Sequence, residues 1–295
     1  MSKRIQSPAR LSLGRILSDL GDGNRELKIQ SCCDDAAHCQ PGDVYVAIDD
    51  GVMDGHESAY DAVQRGAAAI VAERHLPIPI PQFIVADTRV AFGIICHALA
   101  GWPSAHLWSI GITGTYGKTM TELLMISVLE AAGCLVGAMG SLGYCDGAES
   151  ELPRGSTNVQ DLAHWLARMR SQGCSHAVIE VSSESLATRQ LSGIEFNAAI
   201  MTNVRHAHLE FHGNVANYRR AKEMIFTHLK PNGVAVLNAD DPVCQRILST
   251  LSCPVLTFST RHDAEVTATV VERFRGEQTF LLHAGSDSMP IRTSI

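Results

Sequence analysis

The segment Gly111-Ile112-Thr113-Gly114-Thr115-Tyr116-Gly117-Lys118-Thr119 carries the clearest chemical signal in this chain. A glycine-rich turn lets successive backbone N–H groups close around an anion, and a helix that starts at its end adds positive potential. Gly114, Thr115 and Gly117 would form the cradle, Lys118 would reach the outer phosphates of a nucleotide, and the Thr119 hydroxyl would sit on Mg²⁺. Ile112 stands where the usual phosphate-loop spacing has a glycine, so the match is a variant. The plain alternative is a glycine turn opening any α/β helix. Strand, turn, Gly-Lys-Thr and helix in one run favour phosphate.

Four further groups could do chemistry. Glu180-Val181-Ser182-Ser183 follows an apolar run, so Glu180 is either a strand-end surface acid or an acid placed for Mg²⁺. His206, His208 and His212 fall within seven residues, which suits metal or phosphate chemistry, or simply a solvated polar loop. Lys222 borders the apolar stripe of Tyr218, Ala221, Ile225 and Leu229, where a lysine either extends its ammonium to water or is held inside for a purpose. In Asn238-Ala239-Asp240-Asp241-Pro242, Asp241 can cap a helix that Pro242 begins, or Asn238 and Asp241 can meet a nucleotide base and sugar. Cys32, Cys33, His38 and Cys39 form the one tight cysteine cluster, but no second ligand pair stands at zinc spacing, so they read as ordinary thiols.

The elements that must position these groups alternate between short strands and amphipathic helices, which predicts an α/β fold. Residues 10–20 have helical spacing, 44–48 read as a strand, 57–65 as a helix, 68–71 and 82–85 as strands, and 88–100 as a helix. After a linker at 101–104, strands are predicted at 107–113, 136–139, 176–181, 198–202, 234–238 and 255–259, with helices at 118–132, 161–172, 215–229 and 242–251. That order implies a mainly parallel sheet with right-handed crossovers. Residues 265–274 and 279–284 then read as a small C-terminal β-hairpin around Gly276. The expected division is an N-terminal α/β domain over residues 1–103 and a phosphate-loop ATPase-like domain over 104–295.

Composition sets the outer bounds. The chain of 295 residues is 45% hydrophobic, enough for two cores, and its net charge of −7 speaks against a general nucleic-acid binder. No apolar run approaches the ~18–20 residues of a membrane span. No signal peptide is legible at the start, and nine scattered cysteines fit a reducing cytoplasm.

Taken together, the blocks resemble the Mur ligase family, most closely its UDP-N-acetylmuramoyl-tripeptide synthetase branch, which adds diaminopimelate or lysine. The resemblance rests on residues 114–119, 180–183, Thr202-Asn203 through His208-Leu209-Glu210-Phe211-His212-Gly213, Tyr218 through Lys222, and 238–242, with looser matches at Pro41-Gly42-Asp43, Asp54-Gly55-His56 and Gly66-Ala67. It implies ATP-dependent amide bond formation in peptidoglycan precursor synthesis. An amino acid would join UDP-N-acetylmuramoyl-L-alanyl-D-glutamate through an acyl phosphate. By resemblance Glu180 is a Mg²⁺ ligand, His208 a ligand of a second Mg²⁺, and Lys222 a carbamoylated lysine that also serves the metals. Asn238 and Asp241 fall on the adenine and ribose side, and Thr157 and Ser182 on the substrate side.

The sequence departs from the family pattern at several points. Tyr116 replaces an asparagine of the loop, Glu184 a histidine, and Ala207 an aspartate, while Asp35-Ala36-Ala37 stands for Asp-Ser-Arg and Ser156-Thr157-Asn158 for Thr-Thr-Pro. Asparagine tolerates left-handed backbone better than tyrosine, so a reshaped loop is expected at Tyr116. Family members carry a third, C-terminal domain that binds the amino acid, and residue 295 falls where it would begin. The resemblance therefore leaves a fragment, a separate chain supplying that domain, or a nucleotide-binding pseudoenzyme. A folylpolyglutamate-synthase-like ligase is the other enzymatic alternative, disfavoured by the unit preceding the phosphate loop.

Overall fold

The computed structural model describes residues 5–22, 26–152, 158–205, 207 and 209–294. They fall into two compact units. One comprises Met1–Trp108, Leu129–Ala177 and Ser185–Glu195, and the other Ser109–Val128, Val178–Glu184 and Phe196–Ile295.

The first unit is built on a six-stranded sheet in the order Ile5–Ser12, Lys28–Cys33, Val44–Val46, Ala69–Ala72, Gln82–Val85, Gly21–Asp22. Its four central strands run parallel, and the two outer ones pair antiparallel. Successive side chains of a strand point to opposite faces, and both faces of the centre are covered, so Val44–Val46 and Ala69–Ala72 are apolar and buried throughout. Cys32, Val44, Val46, Ala69 and Val71 meet Phe92 and Ile95 of the helix Thr88–Leu99 on one face. Cys33, Tyr45, Ile70 and Ala72 meet Ala59 and Ala62 of the helix Ala59–Gln64 on the other. The helix predicted over 10–20 is instead the edge strand Ile5–Ser12 followed by a single turn, Leu13–Ile16. Pairing with Lys28–Cys33 satisfies the backbone through Ser12, whose side chain then caps the turn at Arg15 N–H.

In the second unit the strand Trp108–Thr113 lies between His176–Glu180 and Phe196–Met201. The sheet continues through Leu229–Asn238, Val255–Ser259, Val266–Phe274, Glu277–Ala284 and Asp287–Thr293. Pairing is parallel from Trp108–Thr113 out to Val266–Phe274, and antiparallel beyond it. The chain order reverses beside Trp108–Thr113, and such a switch point opens a crevice at the carboxyl ends of the strands. Two expectations are corrected. The C-terminal hairpin is three-stranded, because Gly285 at φ +60° turns the chain into Asp287–Thr293. The helix predicted over 215–229 is α-helical only over Val215–Glu223 and tightens to 3₁₀ over Met224–His228. Leu229 already pairs with Phe196 in the sheet.

Among the described residues no helix is long and apolar enough to cross a membrane. The helix Thr88–Leu99 is closed at its start by Asp87, whose carboxylate accepts from the N–H groups of Arg89 and Val90. Asp87→Ala should lower the unfolding free energy by about 1 kcal/mol in urea titrations, the usual worth of such a cap.

Candidate functional site

The site assembles at the carboxyl end of Trp108–Thr113, wholly within the second unit. Ile110 and Ile112 are fully buried and anchor the strand, leaving the glycine turn to emerge at its tip. Gly114 is at φ +156°, and a Cβ there would lie 1.9 Å from Thr202 Oγ1, so no larger residue fits. The loop is pinned by the segment after Phe196–Met201. Thr115 N–H donates to Asn203 O (2.9 Å) and Tyr116 N–H to Asn203 Oδ1 (3.0 Å), while Thr202 Oγ1 donates to Tyr116 O (2.7 Å). Tyr116 itself has no positive φ, and Gly114 and Gly117 take the positive-φ geometry of the loop. The Tyr116 ring is exposed.

Lys118 and Thr119 open the helix Lys118–Ala131. Lys118 Nζ donates to Gly114 O (3.3 Å) and lies 3.7 Å from Glu180 Oε1. Thr119 Oγ1 donates to Glu180 Oε2 (3.0 Å). The hydroxyl and carboxylate predicted to share a cation are thus brought together. One turn on, Glu122 is buried on the same helix, and its Oε1 has no hydrogen-bond partner among the described residues. Burial, and then the charge of Glu180, push its carboxyl up to about 7. Sequence reasoning missed Glu122. An acid three residues after Thr119, followed by Met125, Ile126 and Leu129 at helical spacing, was the available signal.

Lys222 is held inside rather than extended to water. It is 2% exposed, and Nζ donates to Gly114 O (2.8 Å) and to Thr113 Oγ1 (3.4 Å). The ammonium also lies 4.9 Å from the centre of the Tyr218 ring. Burial, and then the Lys118 charge, bring its pKa down to about 7. Tyr218 OH shares a hydrogen bond with Thr115 Oγ1 (2.9 Å), tying this helix to the loop. His212, a member of the histidine run to which no single role was assigned, packs edge-on against Tyr218 and bonds Ser183 Oγ through Nε2 (3.0 Å). A cavity of about 60 Å³ opens among Gly114, Lys118, Ser182, Glu184, His212 and Lys222. Ser182 and Glu184 stand exposed on its wall.

Asp241 is fully buried. Oδ1 accepts from Val243 and Cys244 N–H at the start of Pro242–Leu248, and Oδ2 accepts from Val204 N–H (3.2 Å). Asn238 Nδ2 donates to Thr202 O (2.9 Å), and its Oδ1 accepts from Asp240 N–H (2.9 Å). Both side chains brace the loop at the ends of the strands. Beside them a cavity of about 390 Å³ is lined by Arg205, Arg219, Arg246, Val204, Pro242 and Val243. Arg219 Nε is buried without a partner among the described residues. Thr157, His206 and His208 lie outside the described residues. Ala207 is half-buried.

The family profile described as Mur ligase middle domain matches residues 112–295. A UDP-N-acetylmuramoyl-L-alanyl-D-glutamate--2,6-diaminopimelate ligase of Geobacillus thermodenitrificans is 34% identical over 270 residues, which cover 88% of this chain and 55% of that protein. The chain spans about half the length of the curated relatives it matches. A solved structure of a UDP-N-acetylmuramoyl-L-alanyl-D-glutamate--2,6-diaminopimelate ligase shares the fold with TM-score 0.82 at 22% identity, over 96% of this chain and 59% of that one. A Mycobacterium tuberculosis folylpolyglutamate synthase complexed with ADP and AMPPCP is a narrower likeness, with TM-score 0.52 at 19% identity over 66% of this chain and 51% of that one.

The two shifted groups bend stability with pH in opposite directions. Between 4.5 and about 7 the folded chain holds a proton on Glu122 that the unfolded chain releases, so this group makes stability fall as pH rises. Between about 7 and 10.5 the unfolded chain keeps a proton on Lys222 that the folded chain has lost, so this group makes stability rise with pH. Glu122→Gln should remove the first slope and Lys222→Met the second, as read by denaturant unfolding across pH 5 to 10 against the wild type. Parallel curves for wild type and variants would contradict these assignments.

Proposed function

Because this chain belongs to the Mur ligase family, we propose that it binds ATP and a UDP-muramoyl peptide for ATP-dependent amide ligation. The observation that carries the reading is the loop itself. Lys118 and Lys222 converge on the Gly114 carbonyl, with Thr119 hydrogen-bonded to Glu180 alongside. This is a phosphate cradle with cations and a metal-type oxygen pair at one point. The reaction proposed is transfer of the ATP γ-phosphoryl group to a carboxylate oxygen of UDP-N-acetylmuramoyl-L-alanyl-D-glutamate, releasing ADP. The amine of an incoming amino acid then attacks the acyl carbon, the C–O bond to phosphate breaks, and the amine proton is lost. Lys118 holds the phosphate oxygens and offsets their growing charge.

The hydroxyl of Thr119 and the carboxylate of Glu180 are hard oxygen donors and fit Mg²⁺, which when bound neutralises phosphate charge. His208 is proposed as a ligand of a second ion. An amine brought down to about 7 is substantially neutral at neutral pH, and only the neutral form attacks CO₂. Lys222 is therefore proposed to form a carbamate, RNH₂ + CO₂ → RNHCOO⁻ + H⁺, turning a buried cation into a carboxylate-like ligand. The arginine-lined cavity beside Asn238 and Asp241, with the unpartnered Arg219 Nε, supports the nucleotide on that side. Ser182 on the small cavity's wall, and Thr157, are proposed for the muramoyl peptide. The N-terminal region, 1–103, is proposed as the UDP side and 104–295 as the ATP side.

Titration calorimetry with ATP and Mg²⁺ tests the cradle. Wild type should bind and Lys118→Ala should bind at least about tenfold more weakly, the loss of one charge-assisted contact. Equal affinities would sink the phosphate-loop assignment. Protein equilibrated with ¹³C-bicarbonate should show a carbamate carbon resonance that disappears in Lys222→Met. A spectrum without that resonance in wild type would remove the carbamate.

A further inference from the structure

We propose a zinc site in the first unit, formed by Cys33, Cys39 and Asp43. Their ligand atoms lie within 4.8 Å of one another and all three residues are buried. A tetrahedral zinc with bonds of about 2.0–2.3 Å holds its ligands about 3.3–3.8 Å apart, so closing this cluster on an ion needs a contraction of about 1 Å.

The fold makes the cluster from a set that spacing alone does not show. Cys33 ends the strand Lys28–Cys33, Cys39 follows the 3₁₀ turn Ala36–His38, and Asp43 immediately precedes Val44–Val46, the parallel neighbour of the first strand. The connection between the strands therefore folds back and delivers three ligands to one point. Two members of the cluster apparent in the sequence go elsewhere. Cys32 points to the opposite face of the sheet, where its Sγ is 3.7 Å from Cys96 Sγ. His38 is exposed, with Nδ1 on Asp35 Oδ2 at 2.7 Å.

The chemistry selects the ion. The surroundings are apolar: Ala36, Ala47, Ala59, Ala62, Ala67 and Ile70. Asp43 is 0% exposed, and its carboxylate accepts from the Gln40 N–H (2.9 Å) and the Ser31 hydroxyl. Those two bonds orient the carboxylate. One carboxylate and two thiols in such a pocket offer a cation three donor atoms at one point. Two sulfurs and one oxygen suit Zn²⁺ and disfavour Mg²⁺ and Ca²⁺, which take oxygen sets. On binding, both thiols lose their protons to solvent and two S–Zn bonds and one O–Zn bond form. Three protein ligands leave the fourth position for water. The ion staples the 34–43 connection to the sheet.

The test uses the full chain, stripped with chelator under reductant, reloaded with Zn²⁺ and passed over a desalting column. Roughly one zinc per chain should remain, and Co²⁺ in its place should give a thiolate-to-metal charge-transfer band. Cys39→Ser and Asp43→Asn should weaken binding by about tenfold or more, while Cys32→Ser keeps it. Substoichiometric zinc below about a tenth per chain, or full retention in Cys39→Ser, would overturn the site. Should those variants fail to fold, alkylation of the wild type decides. Zinc should shield Cys33 and Cys39 among the nine cysteines, as mapped by mass spectrometry, and equal labelling with and without zinc would overturn the proposal.

Discussion

The second unit depends on a buried ammonium set against one backbone carbonyl. Lys222 Nζ donates to Gly114 O at 2.8 Å from a side chain that is 2% exposed. Taking a charge out of water is costly, and a carbonyl, the Thr113 hydroxyl and the face of Tyr218 offset only part of that cost. The remainder appears as a pKa drawn down to about 7. In return the contact fixes the direction of the Gly114 peptide at the tip of the strand. Lys118 bonds the same oxygen, so a single acceptor orients two cations.

The surrounding structure serves that contact through polar cross-links at the strand ends. Thr113 Oγ1 donates to Val181 O (2.9 Å), and Thr202 N–H donates to Thr113 O (3.0 Å), locking the loop strand between its neighbours. Asn203 takes the N–H groups of Thr115 and Tyr116, and Asp241 takes that of Val204. Each bond lies beyond the apolar part of its strand, where packing no longer specifies position. Fixed donors and acceptors replace it, so the site is organised before any ligand arrives.

Much of this was legible in the sequence because periodicity and turn chemistry agree locally. The strand Gln82–Val85, the helix Thr88–Leu99 and the strand–turn–helix around Lys118 stand where spacing and glycines put them. What was not legible depends on partners distant in the chain. Residues 10–12 read as helix because Leu13, Ile16 and Leu20 recur at helical spacing just beyond them, yet pairing with Lys28–Cys33 draws them into an edge strand. Spacing alone left Lys222 either reaching for water or held inside, since nothing nearby in the sequence reveals that the Gly114 carbonyl, 108 residues earlier, receives it. Glu122 went unnoticed because its significance comes first from burial in the folded chain and then from the charge of Glu180, a residue distant in sequence. Tyr116 seemed a threat to the loop, but the flanking glycines absorb the unusual backbone geometry.

The measurement that addresses the account most directly is an NMR titration of Lys222 through a labelled side-chain ε-carbon, assigned by comparison with Lys222→Met. The account predicts a midpoint near 7, set first by burial and then by the neighbouring Lys118 charge. A midpoint near the ordinary value of 10.5 would mean that the amine stands in water and that the Gly114 carbonyl is not its partner.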